Sequence, residues 1–297
     1  MNLHGILAPL VTPFSADGEV DLDGFALNIR AHLAAGVCGI VVTGSTGEAA
    51  LLDERERTLL VERARREVDS DRTLLIGTGA ESTRVTIARS RAAAELGADG
   101  VLVVAPHYYG DQMKPVALQS HYERIADESP IPVLLYSIPK YMHFALPAEV
   151  VAALAQHQNI VGMKDSSGDA KLFAGYLKSA SESFRVLTGN GPFWAEALRM
   201  GAYGGILAVS LFAPTLAFDV WDASQRGDDE AAARAQELLR PMAATIVGTL
   251  GVPGVKAALD AVGLAGGTPR PPLSALGAEA RATVDGLLRA AELAPAV

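Results

Sequence analysis

Short apolar runs rich in β-branched residues alternate with longer amphipathic stretches along most of this chain. The runs lack the polar alternation of a half-exposed strand, so they resemble parallel strands that are buried on both faces. The stretches between them, such as residues 53–68, 82–96, 146–155 and 170–180, have the periodicity of covering helices. Eight strands are predicted, over residues 5–12, 39–43, 73–77, 100–105, 132–136, 160–164, 185–188 and 204–208.

About eight strand–helix units in 297 residues predict an α/β fold of the (β/α)8 TIM-barrel class. A doubly wound open sheet is the alternative, but no Gly-x-Gly-x-x-Gly follows the first strand. Beyond residue 213 the pattern is all helical, with helices predicted over 219–225, 229–246, 255–262 and 278–293. Pro241 is expected to kink or split the second of these. We therefore predict a barrel over residues 1–213 and a C-terminal helical extension over residues 214–297.

The charge and the apolar pattern limit the class of partner. A net charge of −9 and a pI near 5.2, without charge blocks, argue against nucleic acid or an anionic membrane. A small anionic substrate stays compatible, because the charge at a local site can be opposite to the net charge of the chain.

Cys38 is the single cysteine, so no intramolecular disulfide is expected. The N-terminus does not show the basic segment and apolar stretch of a signal peptide, and the longest apolar region is interrupted. A cytoplasmic protein is therefore expected.

A loop rich in glycine and hydroxyl groups follows the second predicted strand, at residues 43–48 (Thr-Gly-Ser-Thr-Gly-Glu). Its backbone N–H groups and hydroxyls suit a carboxylate or a phosphate. The loop lacks the lysine of a P-loop, so nucleotide binding is not expected. A tight turn that uses glycine for positive φ is the alternative interpretation.

Lys164 is a lone cation at the end of the sixth predicted strand. One interpretation is a lysine that has left the strand and extends its ammonium to water. The other is a buried amine, since burial disfavours the ammonium and the neutral amine is a nucleophile. The fold favours the second, because TIM-barrel active sites lie at the carboxyl ends of the strands. Tyr108 and Tyr136 are expected at the same rim, and a phenol beside an amine suits imine chemistry.

Other chemistries are weakly supported. The six histidines show no metal-binding spacing, and no Ser-His-Asp or Cys-His arrangement is suggested, so no metal site is expected. Glu48 and Asp165 resemble an acid pair, but helix capping or an orienting contact is the simpler interpretation.

These residues resemble the dihydrodipicolinate synthase/N-acetylneuraminate lyase family of class I, pyruvate-dependent aldolases. The resemblance covers nearly the full chain up to residues 251–256 (Gly-Val-Pro-Gly-Val-Lys). It is most specific at residues 44–48, at Tyr136-x-x-Pro139 and at residues 162–165 (Gly-Met-Lys-Asp). It implies a barrel enzyme that needs no cofactor beyond a covalent imine through its lysine.

The resemblance also implies the catalytic roles. Lys164 would form a Schiff base with the keto carbon of pyruvate or another 2-oxo acid, and Tyr136 would be the general acid/base. Ser45 and Thr46 would hold the carboxylate. Tyr108 would reach into a neighbouring subunit's site and complete a proton relay through the Ser45 hydroxyl.

The family pattern adds pocket residues and an assembly. Gly47 would belong to the substrate-binding residues, and Gly189 and the carbonyl of Ile206 would line the pocket. A homotetramer built as a dimer of dimers is implied.

The departures from the pattern bear on the substrate. Synthases that act on aspartate semialdehyde carry an arginine two residues after the strand-five proline, where this chain has Tyr141 as a substrate-binding candidate. The adjacent Lys140 cannot copy a bidentate guanidinium contact. Ser137 replaces a common asparagine, and this region looks nearer the 4-hydroxy-2-oxoglutarate aldolase branch. Ser137 and Ser166 would then bind the distal part of a hydroxylated oxo acid.

Several functions remain open at this point. The first is a pyruvate-dependent aldolase or lyase, with dihydrodipicolinate synthase as the alternative to the 4-hydroxy-2-oxoglutarate branch. The second is a non-catalytic 2-oxo acid binding protein, which would not need Lys164 or the tyrosines. The third is a barrel enzyme of unrelated chemistry, which the fold alone would permit.

Overall fold

A computed structural model describes residues 1–293 and shows a closed barrel of eight parallel strands in sequence order. All eight strands were predicted from the sequence, and the TIM-barrel prediction is confirmed. Observed and predicted ends differ by at most a few residues. The strands are β1 (Gly5–Pro9), β2 (Gly39–Val42), β3 (Thr73–Gly77), β4 (Gly100–Val104), β5 (Val133–Ser137), β6 (Ile160–Asp165), β7 (Arg185–Thr188) and β8 (Gly204–Ile206).

A helix follows each strand on the outside, and two short helices follow β5. The helices of the barrel are α1 (Leu22–Ala34), α2 (Glu54–Glu67), α3 (Thr83–Glu95), α4 (Pro115–Glu128), α5 (Pro139–Met142), α6 (Ala148–Leu154), α7 (Ala170–Leu177), α8 (Trp194–Met200) and α9 (Pro214–Gln225). Short 3-10 turns follow β2, β4, β7 and β8 at Ala49–Leu51, Gly110–Gln112, Gly191–Phe193 and Ala208–Leu211.

The remaining chain is helical, as predicted, with α10 (Asp229–Met242), a π-helix (Ala243–Thr249), α11 (Gly251–Ala261) and α12 (Ala278–Ala290). Pro241 lies inside α10, and the α-helical pattern gives way to the π-helix at Ala243. A proline has no N–H to donate to the preceding turn, which accounts for this interruption. The division of the chain at residue 213/214 stays a prediction, and residues 294–297 of the predicted extension lie outside the described part.

The register between β5 and β6 places two site residues side by side. Val133 pairs with Ile160, but Leu134 pairs with Gly162, so Val161 is an extra residue in β6. This irregularity brings Lys164, rather than its neighbour in sequence, opposite Tyr136. Paired residues of parallel strands face the same side of the sheet, so both side chains lie on the barrel interior.

Apolar side chains fill the space between the strands and the helix layer, and most strand residues are fully buried. Between the strands and the helices the molecule is therefore a packed core. Among residues 1–293, no helix is long and apolar enough to cross a membrane.

Candidate active site

The Lys164 side chain is buried at the carboxyl end of β6, with only 6% of the residue exposed. Its ammonium nitrogen lies 4.4 Å from the centre of the Tyr136 ring. Within residues 1–293, no carboxylate lies within ion-pair distance of this nitrogen. The amine thus has an aromatic neighbour and no counter-ion, and it does not extend to bulk water. The interpretation of Lys164 as a solvated strand end is wrong.

Gly189, directly after β7, leaves the space that the lysine occupies. A Cβ at this position would collide with Cε of Lys164 and with the hydroxyl of Ser166. The backbone N–H of Gly189 donates to the carbonyl of Asp165 at 2.6 Å, which holds the two strand ends together. Any side chain at this position would displace the amine.

The glycine- and hydroxyl-rich loop after β2 faces the lysine across the barrel mouth. Ser45 and Thr46 both line the cavity that contains Lys164. The hydrogen bonds within residues 1–293 leave the backbone N–H groups of both residues without an acceptor. The cavity wall thus includes two residues whose hydroxyls and free N–H groups are donors of the kind that bind a carboxylate.

The cavity around Lys164 has a volume of about 160 Å³ and opens beside a second one of about 640 Å³. Ser45, Tyr136 and Tyr141 line both cavities, so the two are adjacent at these side chains. The structure brings eight of the eleven residues predicted for the site to the first cavity: Lys164, Tyr136, Ser45, Thr46, Ser166, Gly189, Ile206 and Tyr141.

Three predicted residues do not line either cavity. The Ser137 side chain is fully buried, and its hydroxyl accepts from the backbone N–H of Leu146 at 3.2 Å. Successive strand residues face opposite sides, so Ser137 points to the helix layer because Tyr136 points inward. A substrate contact by the Ser137 side chain is therefore a wrong prediction. Gly47 is buried behind the loop, where its carbonyl accepts from Thr12 at 2.7 Å.

Tyr108 is the third residue outside the cavities of its own chain. It is 78% exposed, and its ring packs edge-on against Tyr109, with the ring centres 5.0 Å apart. Glu81 accepts from the backbone N–H groups of His107 and Tyr108, at 2.9 Å each, and so fixes the loop that presents the ring.

Sequence reasoning missed the wall that the C-terminal extension adds to the cavity. Val247 and Gly248 of the π-helix and Val252 and Val255 of α11 line it. The Lys140 ammonium donates to the Gly248 carbonyl at 2.7 Å and bridges the mouth. The available signal in the sequence was the family resemblance at residues 251–256. Apart from the final lysine, this segment has no polar side chain that would suggest a cavity lining.

Burial shifts the pKa of two groups near the site. It raises the pKa of Asp165 to about 6, although Ser167 donates two hydrogen bonds to that carboxylate. It also raises the pKa of the Tyr141 phenol, which therefore stays protonated.

Glu48 starts a 3-10 turn without a side-chain capping bond, so the capping interpretation of Glu48 is wrong. Among the described residues, no three histidine, cysteine or acidic side chains group as metal ligands.

A family model described as the dihydrodipicolinate synthetase family matches residues 2–291 of this chain. The chain belongs to the dihydrodipicolinate synthetase family. It is thus an enzyme of the class I, pyruvate-dependent lyase and aldolase type. Membership also fits the geometry, because the amine, the phenol and the hydroxyl loop lie at one cavity.

Similar proteins match this chain over most of their length. A DapA-like lyase from Halobacterium salinarum is 36% identical over 285 residues, which is 96% of this chain and 93% of that protein. A 4-hydroxy-tetrahydrodipicolinate synthase from an Exiguobacterium species is 34% identical over 278 residues, 94% of each protein. These names do not point to the 4-hydroxy-2-oxoglutarate aldolase branch.

Solved structures show the same architecture. A prophage protein of the family from E. coli K12, determined in complex with pyruvate, superposes with a TM-score of 0.91 at 31% identity and covers 98% of this chain and 99% of its own. The dihydrodipicolinate synthase of Acinetobacter baumannii, also complexed with pyruvate, gives 0.93 at 29% identity, with 98% and 100% covered.

Proposed function

We propose that this enzyme forms or cleaves a carbon–carbon bond between pyruvate and an aldehyde through an imine on Lys164. The observation that carries the proposal is the buried Lys164 amine, which lies against Tyr136 in the cavity lined by Ser45 and Thr46. Neighbouring hydroxyls and free N–H groups would hold the carboxylate and direct the keto carbon toward the amine.

The chemistry follows from these positions. The Lys164 amine adds to the keto carbon, and loss of water gives the imine. When the bond between C3 and C4 of a 4-hydroxy-2-oxo acid breaks, its electron pair moves to the protonated imine and leaves an enamine. Tyr136 gives its proton to the hydroxyl that leaves as water when the imine forms, and the resulting phenolate then accepts the proton of the C4 hydroxyl as C4 leaves as an aldehyde. Protonation of the enamine and hydrolysis of the imine release pyruvate and restore the amine.

Among possible substrates, we favour a short hydroxylated dicarboxylate such as 4-hydroxy-2-oxoglutarate. Ser166 lines the cavity beyond Lys164, and Tyr141 replaces the arginine expected for aspartate semialdehyde. A second carboxylate of the substrate, at the cavity mouth, would bind the Lys140 ammonium. Because Lys140 is exposed, its ammonium can leave the Gly248 carbonyl and pair with this anion. The alternative substrate pair, pyruvate and aspartate semialdehyde, is supported by the names of the relatives.

A steady-state comparison separates these reactions. Release of pyruvate from 4-hydroxy-2-oxoglutarate is compared with condensation of pyruvate and aspartate semialdehyde, with Lys164→Ala as the blank for both. We expect the higher kcat/KM for cleavage of the hydroxy-oxo acid. A clear preference for aspartate semialdehyde would reverse the assignment, and no turnover of either, with pyruvate still bound, would favour a non-catalytic binding protein.

We also propose that Tyr108 acts in a neighbouring subunit of a homotetramer, in the cytoplasm. Its exposed ring lies outside the cavities of its own chain, which supports a role across an interface. If so, mixing Tyr108→Phe with Lys164→Ala under conditions that exchange subunits should restore part of the activity, because some sites receive both intact residues. Unmixed variants are the control, and no recovery in verified mixed oligomers would contradict the proposal.

A further inference from the structure

The loop that would hold the carboxylate is bounded by two residues in a costly backbone conformation. Thr43 has a φ of 53° and Glu48 a φ of 57°, in the left-handed region that favours glycine. A β-branched residue such as threonine is rarely found there. Such conformations persist only where surrounding contacts fix them, and they cluster at functional sites.

The Thr43 end is fixed by β3 and α2. Its hydroxyl donates to the Gly77 carbonyl at 2.9 Å, and a Cβ on Gly77 would collide with the Thr43 carbonyl. Arg57, which is buried, donates to the carbonyls of both Gly77 and Ala49, so one guanidinium joins the strand to the turn after the loop.

The Glu48 end is fixed by the C-terminal extension. The Glu48 side chain is fully buried, and its Oε1 lies 2.5 Å from Nζ of Lys256 on α11, whose side chain is 1% exposed. Its Oε2 accepts from the backbone N–H of Arg270 at 2.8 Å. Lys256 also donates to the Thr268 carbonyl at 2.9 Å and lies 4.6 Å from the centre of the Phe14 ring.

A contribution to stability alone does not explain why this ion pair is buried beside the site. Burying two charges costs desolvation, and apolar residues of similar volume often stabilise a fold as well or better. Helix α11 carries both Lys256 and the cavity-lining residues Val252 and Val255. The pair therefore connects the wall of the cavity to the last residue of the hydroxyl loop, two positions after Thr46.

We propose that Glu48 and Lys256 are positioning residues, whose ion pair holds Ser45 and Thr46 in the geometry that binds the substrate carboxylate. This inference rests on the proposed function, since it assumes that a 2-oxo acid forms an imine on Lys164. Loss of the pair relaxes Glu48 out of its left-handed conformation and moves the hydroxyls and N–H groups away from the carboxylate.

The test compares Glu48→Gln, Lys256→Met and the double variant with the wild-type protein. Borohydride trapping, followed by intact mass, gives the half-saturating concentration of pyruvate and of pyruvamide, its uncharged amide. Thermal unfolding of each variant gives its stability. Because a single variant leaves one buried charge unpaired, the singles are expected to unfold at lower temperature, and the double variant to recover much of that loss.

The positioning role predicts that the half-saturating concentration of pyruvate rises at least about tenfold in the double variant, although that variant is restabilised. The reason is that misplaced binding groups lower affinity. Its half-saturation with pyruvamide should change far less, because that ligand has no carboxylate to hold. Equal weakening of both ligands, or a double variant with wild-type pyruvate saturation, would overturn the inference.

A matched control removes an exposed ion pair by Glu196→Gln with Arg199→Met on α8, which should leave both saturation curves unchanged. Wild-type protein that traps no pyruvate on Lys164 would overturn the proposed function and this inference together. Normal trapping by the wild type and the double variant would overturn this inference alone.

Discussion

At the scale of single residues, the site depends on where one amine is held. Lys164 is buried against the Tyr136 ring, and the space for its side chain exists because residue 189 is glycine. An aromatic face stabilises a nearby cation, and here the same side chain lies beside the amine that would attack the keto carbon.

Gly189→Ala should abolish imine formation while the barrel still folds. The new Cβ would overlap Cε of Lys164 and the Ser166 hydroxyl, which are at the ends of side chains and can move away. We expect borohydride-trapped adduct to fall by roughly 100-fold or more, because small displacements of reacting groups are costly. Gly286→Ala is the control, since a Cβ there meets nothing. Wild-type trapping by the Gly189→Ala variant would contradict the packing described here.

The sequence indicated Lys164, Tyr136, Ser45 and Thr46 because strand ends at a barrel rim converge whatever their separation in the chain. It failed at Ser137, because β5 continues one residue beyond its predicted end and side chains alternate along a strand. It also could not pair Glu48 with Lys256, since nothing local in either segment indicates the partner.

At the scale of elements, α2 shows how a local signal sets a boundary. Asp53 precedes the helix and accepts from the backbone N–H of Glu56 at 2.8 Å, and the Glu56 carboxylate accepts from the backbone N–H of Asp53 at 2.9 Å. This reciprocal capping box satisfies two N–H groups at the start of the helix. The predicted helix start at Asp53 is confirmed.

Asp53→Ala should lower the free energy of unfolding by about 1 kcal/mol, the usual cost of losing an N-cap. Ser82→Ala is the matched control, because Ser82 precedes α3 without a capping bond from its side chain. Chemical denaturation of both variants measures the difference. Equal losses in the two variants would show that the capping bond contributes nothing specific.

The strands were predictable from continuous apolar runs, but their pairing was not. The extra residue Val161 in β6 decides which side chain stands opposite Tyr136. On the other side of β6, Gly162 permits close approach to β7, since a Cβ on it would collide with the Arg185 carbonyl. A register irregularity depends on contacts between strands, so no periodicity within one strand signals it.

At the scale of the whole molecule, the barrel and the C-terminal extension share one cavity. The extension supplies Val252, Val255 and the carbonyl that binds Lys140, while the strands supply the amine and the phenol. The sequence predicted the extension from its helical pattern. Its contribution to the site followed only from tertiary packing.

Two buried histidines should make the whole fold sensitive to acid. Burial lowers the pKa of both His32 and His121 to about 4, against 6.5 when unfolded. At these two sites the unfolded chain therefore binds protons that the folded chain refuses between pH 6.5 and 4, so their contribution to stability falls as the pH drops through this window. Each site contributes at most about 3 kcal/mol.

Unfolding free energies at pH 7, 5 and 4 check this expectation. His32→Leu and His121→Leu should each reduce the loss of stability on acidification, whatever their effect at pH 7. His143→Asn, at an exposed site whose positive φ asparagine tolerates, should keep the wild-type slope. Parallel pH profiles for all four proteins would contradict the assignment of acid sensitivity to the buried rings.

The most direct test of the central claim is covalent capture of pyruvate. The protein is incubated with pyruvate, reduced with borohydride, and examined by intact mass and peptide mapping. We predict one reduced pyruvate unit per chain, located on Lys164 and lost in Lys164→Ala. No adduct in the wild-type protein, or an adduct that survives in Lys164→Ala, would contradict the Schiff-base account.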